Sequence, residues 1–106
     1  MTEITKVSQI TASVVAEYIR LDSPSVSETG TLNSLLRVAK AFVANYTGHT
    51  EAELDNYGDF VIVVLILCQD MWDNRTLYVD NNDLNKVVET ILGMHSVNLL
   101  PVEESI

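Results

Sequence analysis

A chain of 106 residues falls within the size of one domain and can bury roughly two-thirds of the surface that its unfolded form exposes. Its composition, 47% hydrophobic and 20% charged, is that of a folding globular chain and excludes the low-hydrophobicity, high-charge class that stays disordered. Fifteen acidic against six basic residues give a formal charge of −9 and a pI near 4.3. That is the wrong sign for displacing counterions from phosphate, so a grip on nucleic acid is disfavoured.

The first residues, Met1 to Gln9, alternate polar and apolar types and lack the basic start and apolar core of a signal peptide, which implies a cytoplasmic protein. They read as an N-terminal segment, residues 1–9, ahead of a helical domain over 10–95 and a tail over 96–106. From Ile10, the positions Val14, Val15, Tyr18 and Ile19 keep helical spacing, with Thr11 or Ser13 able to cap the start. This first helix stops at Leu21-Asp-Ser-Pro-Ser25, where Pro24 disfavours helical geometry in the residue before it, and a linker is expected to run to about Gly30.

Leu32, Leu35, Leu36, Ala39, Phe42, Val43 and Tyr46 recur in steps of three and four, predicting a second helix that ends near Thr47 with Gly48 in a left-handed cap. The run Phe60-Val-Ile-Val-Val-Leu-Ile-Leu-Cys68 suits a buried strand as well as a buried helix. Length decides for the helix. Its pattern continues through Met71 and Trp72 to Arg75, about 20 residues, with Asp55 or Asn56 as the expected cap. The run is too short to span a membrane, and Asp59 and Asp70 bracket it. After a loop from Thr76 to Asn82, Asp83 can cap a fourth helix whose face is Leu84, Val87, Val88, Ile91 and Leu92, weakened at its end by Gly93. The expectation is an all-α domain, a compact bundle of about four helices around a central apolar one.

Chemistry is sparse. His49 and His95 stand apart in a loop and at a helix end, and neither is assigned a role. With the single cysteine, Cys68, they match no zinc spacing, and Cys68 reads as a small buried hydrophobe. Asp80-Asn-Asn-Asp83 lacks the glycine and ligand alternation of a calcium loop, and Asp70 with Asp73 reads as a solvated pair. The four glycines are scattered singly, so no phosphate-cradling loop is present. No enzyme, cofactor or metal is expected. Trp72-Asp-Asn-Arg75 stands out, because Trp and Arg are the types most enriched at interface hot spots. The blander account has Trp72 closing the core and Arg75 meeting the last carbonyls of its helix.

The order of features, Glu17-Tyr-Ile-Arg-Leu-Asp22, then Leu32-Asn-Ser-Leu-Leu36, Ala39-Lys-Ala-Phe-Val43, Asn45-Tyr-Thr-Gly48, Met71-Trp-Asp-Asn-Arg75 and Leu84-Asn-Lys-Val-Val-Glu-Thr-Ile-Leu92, resembles the head-tail connector family of tailed bacteriophages and prophages. The resemblance spans roughly Ile10 to Pro101, and Gly93-Met-His-Ser96 departs from the family's usual closing segment. It implies a structural virion protein at the head-tail junction, assembled from the host cytoplasm. Its subunits form a homo-oligomeric ring below the portal protein, extend the DNA channel and dock the stopper or tail-completion protein. DNA passes without specific binding, and no membrane is involved. Candidate interface residues under this reading are Trp72, Arg75, Tyr78, Asp80, Asp83, Glu103 and Glu104. The competing reading is an acidic helical interaction module, a regulator or chaperone that binds a basic partner.

Overall fold

A computed structural model describes residues 4–79 and 84–96. Four α-helices carry the fold: α1 at Ala12–Tyr18, α2 at Val26–Thr47, α3 at Asp59–Asn74 and α4 at Lys86–His95. Short 3-10 turns at Val7–Gln9 and Ala52–Asn56 precede α1 and α3. The protein is all-α and compact, with no strand among the described residues.

The first helix starts where its cap is expected, since the Thr11 hydroxyl accepts from the Val14 amide at 3.4 Å. It closes with Arg20 in the left-handed region at φ 63°, which lets the Leu21 amide donate to the Ala16 carbonyl at 2.8 Å. The second helix begins earlier than the expected linker allows, at Val26, and Gly30 lies inside it. The cause is a reciprocal cap. Glu28 donates its amide to the Ser25 hydroxyl at 3.1 Å, and its carboxylate accepts from the Ser25 amide at 2.8 Å. At the other end Gly48 takes the expected left-handed conformation at φ 79°.

The apolar run folds as a helix, and α3 packs against each of the other three. Phe60, Val63, Val64 and Cys68 are wholly buried, each large aliphatic or aromatic side chain contributing about 1.5–3 kcal/mol by leaving water. The helix is shorter than the sequence suggests, sixteen residues, and neither Asp55 nor Asn56 caps it. Both belong to the preceding 3-10 turn. Asp55 instead accepts from the Ser8 amide at 2.9 Å, tying the N-terminal segment to this turn. Val7, in that segment, is buried in the same core as Ile10 and Val15.

The fourth helix is capped by Asn85, which accepts from the Val87 amide at 2.8 Å; Asp83 lies outside the described residues. Val88 and Leu92 are buried, whereas Val87, expected on the core face, is exposed. A helix this short turns only one narrow stripe inward. Gly93 lies in the last turn of α4, which runs to His95. No helix among the described residues is long and apolar enough to cross a membrane.

Candidate protein interface at the end of the third helix

Two clusters combine functional side chains, and they lie at opposite ends of α3. At its start, the two histidines that stand 46 residues apart in sequence meet. His49 Nε2 donates to the His95 carbonyl at 2.9 Å, and His95 Nε2 lies 3.0 Å from Asp59 Oδ2. The Tyr57 ring lies between them, its centroid 5.1 Å from that of His49 and 4.7 Å from that of His95. Phe60 meets His95 edge-on at 5.2 Å. The sequence reading left both histidines isolated, and the fold corrects that. Among the described residues the cluster ties the end of α4 to the start of α3, away from the grooves at Trp72 and Tyr78.

Glu53 lies 3.5 Å from His49 Nδ1. The Thr50 backbone amide, with a smaller effect from His49, holds the Glu53 carboxyl below its ordinary range. Asp55 is lowered in the same sense by hydrogen bonds from Ser8. Burial has the opposite effect on Cys68, whose thiol is pushed up to about 12.

At the far end of α3 the last turn is shaped by Arg75, in the left-handed region at φ 56°. The Thr76 amide then donates to the Met71 carbonyl at 3.0 Å. The reversal leaves the Arg75 guanidinium 4.8 Å from the centroid of the Trp72 ring, a cation–π pair. Trp72 is half-buried, packed against the core on one side. The other side faces a groove of about 580 Å³ between the first turns of α2 and the end of α3. Leu77 and the Trp72 ring supply its accessible apolar surface over the buried Leu35 and Met71, Thr31, Ser34 and Thr76 its hydroxyls, and Glu28 and Arg75 its charges. Glu28 is already engaged in the cap of α2.

Of the expected interface residues, Trp72 and Arg75 are thus brought together. Tyr78 is exposed and lines a neighbouring hollow with Asn74 and Val79. Asp80, Asp83, Glu103 and Glu104 lie outside the described residues. The sequence reading missed Leu77, which is 58% exposed, and Val26, 93% exposed. Leu77 carried a signal in its position directly after Thr76 in a predicted loop, where an isolated large aliphatic has no core to fill. Compared with protein-family models, curated proteins and solved structures, the chain matches none at a significant level.

Proposed function

We propose that the chain is a non-enzymatic structural subunit, a head-tail connector that assembles into a ring beneath a phage portal, extends the DNA channel and docks the stopper or tail. One observation carries the reading. The molecule presents an open, partly apolar groove built around Trp72 and Arg75, with Leu77 exposed on its lip. An aromatic and an arginine in a cleft with hydroxyls around it is the chemistry of a protein-docking hot spot. A ring of identical subunits needs two different surfaces that fit each other, and a groove of this kind serves as one of them. The formal charge of −9 suits a channel that lets phosphate slide past.

Native mass spectrometry of the full chain, alone and mixed with the portal protein encoded nearest to its gene, tests this. A ring, formed alone or only on the portal, is the expected result. A monomer in both samples at high concentration, with no portal complex, overturns it.

A further inference from the structure

The groove at the end of α3 is open, and the chain contains a segment whose chemistry matches it. After Ser96 the sequence runs Val97-Asn-Leu-Leu-Pro-Val-Glu-Glu-Ser-Ile106, two adjacent leucines followed by two adjacent carboxylates. The groove offers the complement, the accessible apolar faces of Trp72 and Leu77 beside the Arg75 guanidinium. We infer that residues 97–106 of one copy dock in the Trp72–Arg75 groove of a second copy, Leu99 and Leu100 packing on Trp72 and Leu77 and Glu103 and Glu104 meeting Arg75. This deepens the ring proposed above and rests on it.

Geometry decides between the groove of the same chain and that of another. His95 is bonded to Asp59, so α4 delivers the chain at the start of α3, while the groove lies at its end. From Asp59 to Trp72 the helix rises about 20 Å at 1.5 Å per residue. Leu100 follows Ser96 by four positions, and four extended residues reach at most about 14 Å. The leucine half of the contact therefore falls short of its own groove, whereas a neighbour placed head to tail brings its groove within reach of both halves. Such a contact joins two unlike ends of the subunit, and repeating it closes a ring when the rotation allows. Pro101 favours the extended backbone that an inserted segment needs.

Disulfide trapping in the full chain tests the contact. Gly30 lines the groove, and a Cβ added there meets nothing within 4 Å, so Gly30→Cys fits without repacking. Native Cys68 is fully buried and stays out of the reaction. Gly30→Cys and an isotope-labelled Ser105→Cys chain are mixed under mild oxidation and the products weighed. The expected product is a disulfide between the two different chains. Adding Arg75→Glu to the groove copy lowers its yield about fivefold, and Glu103→Lys with Glu104→Lys on the tail copy restores it. Absence of the mixed disulfide overturns the inference, as does a mixed disulfide whose yield Arg75→Glu leaves unchanged. A ring on the portal without the mixed disulfide sinks this contact and spares the connector reading. The mixed disulfide without any ring does the reverse.

Discussion

Replacing Ser25 by alanine tests the point at which the fold departs most from simple periodicity, the early start of α2. The substitution removes the hydroxyl that accepts from the Glu28 amide at 3.1 Å. It also breaks a reciprocal arrangement whose other half is the 2.8 Å bond from the Ser25 amide to the Glu28 carboxylate. An N-cap of this kind is worth about 1 kcal/mol, which in a domain of about 100 residues lowers Tm by roughly 4–8 °C. The loss is local. The Thr29 amide, which donates to the Ser25 carbonyl at 2.8 Å, and the Glu28 amide should lose hydrogen-exchange protection, while Val43 and Ala44 keep theirs. Because Gly30 and Thr31 form one wall of the groove beside Trp72, the fraying should make the single tryptophan more accessible to acrylamide. A helix that began near Leu32 would place Ser25 in a linker, and the substitution would then fall within the roughly 0.5 kcal/mol of an ordinary surface change. An unchanged Tm with unchanged exchange at Glu28 and Thr29 refutes the reasoning.

Two further outcomes follow from the titrating groups. Cys68 is fully buried and its thiol is pushed up to about 12, so at pH 8 it should resist a thiol-reactive dye and label only as fast as the protein unfolds; rapid native labelling contradicts that placement. Asp55 is held below its ordinary value by Ser8, so its contribution is present above the unfolded pKa and is lost as pH falls through the lower folded one. The Asp55→Asn variant should therefore be less stable than the parent at neutral pH and converge with it in strong acid, read as urea midpoints across the acid limb. A constant gap at all pH values rules the linkage out.

The parts of the fold that follow from local pattern were legible. Leu32, Leu35, Leu36, Ala39 and Val43 keep a 3.6-residue period because one face of α2 meets the core, and all five are buried. The first turns of α2 escaped because Ser27, Thr29, Gly30 and Thr31 show no apolar period there; the signal was the spacing Ser25-Val-Ser-Glu28, a capping box. The cap of α3 was misplaced because Asp55 spends its carboxylate on Ser8, 47 positions away, a contact no local pattern encodes. The histidine clip is non-local in the same way. Within the groove, the Trp72–Arg75 pair was legible as an i, i+3 couple at a helix end, whereas the opposite wall from α2 required the tertiary packing of two helices.

The run Phe60 to Cys68 contains no charge, glycine or proline, and before the fold forms it is an aggregation-prone stretch of the kind that stacks into intermolecular β-structure. Burial of α3 by its neighbours is what keeps that stretch sequestered, with Asp59 and Asp70 at its borders as gatekeepers. A substitution that loosens the packing around α3 thus first appears as insoluble protein, even when the groove itself is untouched. Loss of docking in a variant is informative only when its soluble yield matches the parent's.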